Sequence, residues 1–270
     1  NLFLSEMTRR LIMSENKDIF YNDILNVFKF IVQDTIIIRP STHKLFDIDY
    51  IKSKDKIIKI LKALDIDIVD FVTTESDIKS IKSKLSDNDY NNLLNDINIL
   101  FIRYPKLRCT LRIENDLYTI KKLNDNTYDV CSLKFLHKKN NNRFGAYDES
   151  DGTIRVLELI DILLTNNKLF LIDELDSSLH PLLVDGLLKI FLNSKSTNQL
   201  IITTHELKTL DFDLVRRDEI WFTEKNKDGD SRLYSLEEFK DVARFDRKID
   251  KAYLEGRFGA IANIDTDYEN

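Results

Sequence analysis

The sequence predicts an α/β fold in which helices cover a sheet of buried strands. Two short segments, Leu169–Ile172 and Leu200–Thr203, are almost continuously apolar, as expected for strands that are buried on both faces. Segments with helical patterns, Thr153–Thr165 and Pro181–Leu192, alternate with these strands. Pro181 suits a helix start, because its missing N–H would be unpaired there in any case. This alternation predicts a sheet with helices on both faces.

Residues 1–105 are predicted to form a mainly helical insertion. Apolar side chains follow a helical stripe from about Asp18 to Gln33, and the segment Ser53–Leu64 predicts a second helix. Two shorter helices are predicted between Glu75 and Asn98, where polar residues dominate.

Residues 106–147 are predicted to form a small antiparallel meander. The hydrophobic period changes here, because apolar and polar residues alternate in Cys109–Ile113, Tyr118–Ile120 and Tyr128–His137. These strands lead into the α/β part, which is predicted to occupy residues 148–270.

The composition excludes some classes of protein. With 43% hydrophobic and 32% charged residues, the 270-residue chain is globular rather than disordered. Its net charge of -6 gives no overall attraction to nucleic acid or anionic membranes. The local basic run from Lys134 to Arg143 is interpreted as a solvated strand end and loop. DNA binding stays open. The apolar runs are too short to span a bilayer. Two cysteines, Cys109 and Cys131, fit core positions in a reducing cytoplasm.

Asp173 and Glu174 directly follow the first apolar strand. Carboxylates in this position lie at the carboxyl edge of a sheet, where α/β proteins bind ligands. There, Asp173 could hold Mg²⁺ and Glu174 could polarise a water that attacks a γ-phosphate. An acidic pair can also be a simple loop entrance, so the pair alone does not assign a function.

The residues after this pair resemble the ABC ATPase superfamily. Glu174 continues into Leu-Asp-Ser-Ser-Leu-His-Pro, similar to the D-loop that follows a Walker B strand in these enzymes. His180 stands where the D-loop usually has an aspartate. His205 follows the next strand and matches the switch histidine of the superfamily, which contacts the γ-phosphate. A lone histidine could otherwise serve as a cap or lie at the surface.

The segment Glu149–Thr153 resembles the ABC signature segment, although it reads Ser-Asp-Gly-Thr instead of Ser-Gly-Gly-Gln. Ser150 and Gly152 at a helix start could form an anion site, since free N–H groups and the helix dipole favour phosphate. Ser150 could equally be an ordinary N-cap. In the superfamily this segment contacts ATP that is held by the opposite subunit.

Together the motifs resemble the bacterial AAA-family, ABC-like ATPases of abortive-infection systems. The segments Arg216–Phe222 and Tyr253–Ile261 are similar to C-terminal segments of that family. The resemblance is specific over Asp148–Ile261 and only suggestive before it. It implies a P-loop NTPase of ABC type that binds ATP and Mg²⁺ and dimerises with ATP. It also implies a nuclease or toxin effector as a partner in anti-phage defence.

The phosphate-binding loop of such enzymes is not found in the sequence. A P-loop needs Gly-x4-Gly-Lys-Ser/Thr, and none of the six glycines is followed by lysine. We therefore expect the P-loop on a missing N-terminal segment and no activity from this chain alone. Two other functions stay open, a DNA-repair ATPase resembling the SMC group and a non-catalytic interaction module. Residues 1–100 lack the long heptad repeats that the SMC group would require.

Overall fold

The computed structural model describes residues 19–40, 45–46, 50–103, 105, 108–114, 116–124, 127–138, 140–226, 228–239 and 249–261. The helices are α1 (Ile19–Lys29), α2 (Lys54–Ala63), α3 (Ile78–Lys82), α4 (Asp87–Arg103), α5 (Asp151–Leu159), α6 (Asp161–Leu164), α7 (Pro181–Leu192) and α8 (Ile249–Leu254). The strands are β1 (Thr35–Ile38), β2 (Leu45–Phe46), β3 (Ile68–Ser76), β4 (Arg108–Ile113), β5 (Asp116–Asn124), β6 (Thr127–His137), β7 (Asn140–Phe144), β8 (Leu169–Ile172), β9 (Gln199–Ile202), β10 (Trp221–Lys225) and β11 (Ser231–Ser235). None of these helices is both long and apolar enough to cross a membrane.

A three-stranded parallel sheet lies at the centre of the α/β part, in the order β1-β8-β9. The middle strand, β8, and the helix α7 have the boundaries that the sequence predicts. Strand β9 begins one residue earlier than predicted. The predicted helix Thr153–Thr165 is divided into α5 and α6 at Ile160. The α/β class is therefore confirmed for this part of the chain.

The prediction that helices cover both faces of this sheet is wrong for the described residues. One face is packed into the core, where Ile38, Phe170 and Ile172 are at most 2% exposed. On the opposite face, Ile37 and Ile201 are 55% and 60% exposed, in register with Leu171 between them. A continuous apolar strand predicts contact on both faces but does not say which element provides it.

The second sheet is antiparallel, with the order β2-β4-β5-β6-β3 and with β7 paired to β6. The predicted meander is confirmed as β4, β5 and β6. Three strands that the sequence analysis did not predict, β1, β2 and β3, lie within the segment predicted to be mainly helical. The helix predicted over Ser53–Leu64 is confirmed as α2. Residues 1–18 lie outside the described part, and the division at residues 105 and 147 stays a prediction.

The largest hydrophobic cluster joins the two sheets. It contains buried residues of β1, α2, β3, β5, β6, α5, β8 and α7. Tyr50 is fully buried within it, and its hydroxyl donates to the carbonyl of Leu157 at 2.6 Å. Burial, together with the nearby carboxylates of Asp161 and Glu158, raises the pKa of Tyr50 well above its usual value of 10.0, so the phenol remains a donor. This packing fixes α5 against β8.

Candidate functional site

The carboxyl end of β8 carries Asp173 and is held by its neighbours on both sides. The Asp173 N–H donates to the carbonyl of Ile38 at the end of β1, at 2.8 Å. On the other side, the hydroxyl of Thr203 donates to Asp173 Oδ1 at 2.6 Å. The same hydroxyl oxygen accepts the N–H of Glu174 at 2.9 Å. Thr203 therefore fixes both acidic residues relative to β9.

Glu174 adopts a left-handed backbone conformation, with φ of 49°. Such a φ is uncommon for a residue with a side chain, and it persists only where the surroundings enforce it. Ser178, four residues later, has φ of 61°. The chain from Glu174 to Ser178 thus makes a tight, sterically costly turn directly after the strand. Strain of this kind is concentrated at functional sites.

His205 lies at the same edge of the sheet, three residues after the end of β9. Its N–H donates to Asp176 Oδ1 at 3.1 Å, which ties the predicted switch segment to the predicted D-loop. The side chain of His205 is exposed. Within the described ranges, no protein group bonds to its imidazole ring. The fold therefore brings Asp173, Glu174 and His205 to one edge and leaves the ring available to a ligand.

Ser150 and Gly152 lie at the start of α5, where the sequence predicts the signature segment. The Ser150 hydroxyl accepts the N–H of Thr153 at 3.1 Å, so the N-cap interpretation is confirmed. The anion-binding role stays a prediction. A Cβ added to Gly152 would lie 3.0 Å from the carbonyl oxygen of Ser178. The start of α5 therefore packs closely against the predicted D-loop, and glycine permits that approach.

His180, at the end of the same turn, has a structural role. Its Nδ1 accepts the N–H of Leu182 at 3.2 Å, and it is the N-cap of α7. Pro181 follows at the first position of the helix, as the sequence predicts. The histidine that stands where the predicted D-loop would have an aspartate thus caps a helix.

Comparison with protein families decides the family of the chain. A family model described as "AAA domain, putative AbiEii toxin, Type IV TA system" matches residues 21–211. The chain belongs to this AAA family. The match supports an ATPase-like domain with a P-loop NTPase fold, in a family that generally binds ATP and Mg²⁺. It includes all five residues that the sequence analysis assigned to the site, and it extends into the first half of the chain. No curated protein matches the chain.

The site of this AAA domain fits Mg²⁺ that arrives with a nucleotide. No group of three or more His, Cys, Asp or Glu side chains that could hold a metal occurs among the residues described. Magnesium at nucleotide sites, however, needs only one or two carboxylates, because phosphates and water supply its other ligands. Asp173 is exposed and next to the Thr203 hydroxyl, and it can serve in this way.

Two residues that contact the site were not found by sequence analysis. Thr203 is the hydroxyl that holds Asp173 and Glu174, and it stands in the motif that precedes His205. Arg155 donates to the backbone carbonyls of the two acidic residues from α5.

Proposed function

We propose that this AAA domain is the hydrolytic part of an ABC-like ATPase, whose P-loop is supplied from outside the chain. The observation that carries the proposal is the placement of Asp173 and Glu174 at the carboxyl end of the central strand. There the hydroxyl of Thr203 joins the two acids, and Asp176 holds the backbone of His205. Carboxylates at such an edge are suited to phosphate chemistry.

Each residue has a distinct role in this proposal. Asp173 would hold Mg²⁺, which neutralises charge on the phosphates when it is bound with ATP. Glu174 accepts a proton from the water that attacks the γ-phosphate. The imidazole of His205 donates to a γ-phosphate oxygen and stabilises the charge that develops there.

The open side of the parallel sheet supports an external P-loop. Among the strands described, β9 pairs only with β8, so its outer edge can accept a further strand. On the open face of the sheet, the exposed Ile37 of β1 and Ile201 of β9 provide an apolar surface that a helix could cover. A strand followed by a P-loop and a helix has the form that fits both features.

A dimer completes the proposed site. Ser150 and Ser178 are both exposed, and Gly152 brings the start of α5 against the turn that contains Ser178. The two segments thus form one continuous surface beside Glu174. We assign this surface to ATP held by a second subunit, so that the protein dimerises when ATP is bound.

The biological role that we propose is supported by the description of the family and by the sequence resemblance to abortive-infection ATPases. The family description names a toxin of a type IV toxin–antitoxin system. On that basis we propose that the protein acts in the cytoplasm in anti-phage defence. A nuclease or toxin would act as its effector, controlled by ATP hydrolysis.

Calorimetric titration of ATP and Mg²⁺ into the purified chain tests the proposal. We expect a dissociation constant weaker than about 1 mM, because the backbone amides and the lysine of a P-loop are absent. A control titration adds a polypeptide that supplies the P-loop, which should tighten the binding. Low-micromolar affinity for the chain alone would place the nucleotide site within it. No binding in either titration would favour a non-catalytic interaction module.

A further inference from the structure

Arg155 is a buried arginine that contacts the backbone at the carboxyl end of β8, where the proposed catalytic residues lie. It lies on α5, is only 4% exposed, and directs one end of its guanidinium to the end of β8. Its Nη2 donates to the carbonyl of Glu174 at 2.9 Å and, at 3.3 Å, to that of Asp173. A charged donor to a backbone carbonyl forms a stronger hydrogen bond than a neutral donor.

These bonds act on the strained residue of the turn. Thr203 fixes the peptide before Glu174, through the Glu174 N–H, and Arg155 fixes the peptide after it, through the carbonyl. That carbonyl also accepts the N–H of Ser177 at 3.0 Å. Glu174 therefore has partners on both of its backbone polar groups, which is the condition under which a left-handed conformation persists.

The other end of Arg155 is bound to a second buried charge. Its Nη1 donates to Glu158 Oε2 at 3.2 Å, and Glu158 also forms an ion pair with Arg112 on β4. The three charges thus connect the antiparallel sheet, α5 and the end of β8. Because Arg112 remains as its partner, Glu158 would not be left uncompensated if Arg155 were replaced.

The free-energy cost of burying Arg155 argues against a simple packing role. Its Nε–H is buried and has no hydrogen-bond partner among the residues described. An unsatisfied buried donor of this kind destabilises the fold, and an apolar side chain of similar volume would avoid that cost. The benefit that offsets it is the pair of bonds to the carbonyls of Asp173 and Glu174.

We propose that Arg155 is a positioning residue that holds Glu174 in the geometry required of a general base. The inference rests on the proposed function for its catalytic consequence. Its structural part, the control of the Glu174 backbone by Arg155, can be tested without activity.

The structural test is amide hydrogen exchange in the full chain with Arg155→Gln. We expect the amides of Glu174, Leu175 and Ser177 to exchange about tenfold faster or more, while the amides within β8 keep their protection. The matched control is Arg217→Gln. Arg217 also donates through Nη2 to two backbone carbonyls, those of Leu236 and Phe239, and its buried Nε also lacks a hydrogen-bond partner among the residues described. This control should leave the three amides unchanged.

The functional test uses the chain combined with the polypeptide that supplies the P-loop. Arg155→Gln should lower kcat for ATP about 10-fold to 100-fold with little change in KM, because the base is displaced but ATP is still held. Arg155→Lys keeps the charge beside Glu158 but reaches at most one carbonyl. Its kcat should therefore lie between the values of the wild type and Arg155→Gln. Arg217→Gln should retain the wild-type kcat.

The outcomes separate the two proposals. Uniform loss of protection across β8 with Arg155→Gln, or an unchanged kcat in an active enzyme, would overturn the positioning role. A local increase in exchange without any wild-type hydrolysis would support the positioning role and contradict the ATPase function.

Discussion

Replacing Glu174 by Gln should abolish ATP turnover, with kcat reduced by about 100-fold or more, and leave ATP binding intact. Glutamine has the same shape but cannot accept the proton of the attacking water. The side chain is exposed, so the fold should keep its stability within about 0.5 kcal/mol. Steady-state hydrolysis and ATP titration of the chain combined with its P-loop polypeptide measure both quantities. Because hydrolysis normally opens the site, the variant should also accumulate as an ATP-bound dimer.

A matched control for this variant is Glu114→Gln. Glu114 is also exposed and also left-handed, with φ of 53°, but it lies in the turn between β4 and β5. The same chemical change there should leave kcat at the wild-type value. Wild-type turnover in Glu174→Gln would show that Glu174 is not the general base and only begins a loop.

Replacing His205 by Ala should reduce kcat by about 10-fold to 1,000-fold without destabilising the protein. The described contact of His205 is made by its backbone N–H to Asp176, and alanine retains that N–H. The substitution would therefore remove only the contact between the exposed imidazole ring and the phosphate. Turnover and melting temperature of the variant are the two measurements.

His180→Ala provides the contrast on stability. It removes the side chain that caps α7 and should lower the free energy of unfolding by about 1 kcal/mol. A large fall in melting temperature for His205→Ala, together with normal turnover, would show that His205 is structural and not the switch.

The parts of the fold that the sequence predicts well are those with strong local signals. The strand Leu169–Ile172 is a short apolar run between polar residues, and Pro181 fixes the start of α7. Strand β1 was not predicted, because its isoleucines directly follow a helical stripe and a four-residue run does not distinguish strand from helix. Its pairing with β8 joins residues 134 positions apart, a relation that local patterns do not contain.

The residues of the site also fall into two groups, those that local motifs predict and those that only the tertiary structure reveals. Asp173, Glu174 and His205 were predicted, because each follows an apolar strand within a motif. Arg155 was not, since a charged residue in a helix is expected to face solvent. It is buried because the carbonyls of the acidic turn and the carboxylate of Glu158 surround its guanidinium. Those partners come from separate elements, so only the tertiary structure brings them together.

The measurement that tests the central claim most directly is steady-state ATP hydrolysis by the chain, alone and with a polypeptide that supplies the P-loop. If Asp173 and Glu174 act on a phosphate that another segment must hold, the chain alone should be inactive. The mixture should hydrolyse ATP, and Glu174→Gln in this chain should remove that activity. Equal turnover by the chain alone, or an inactive mixture that nevertheless binds ATP tightly, would contradict the account.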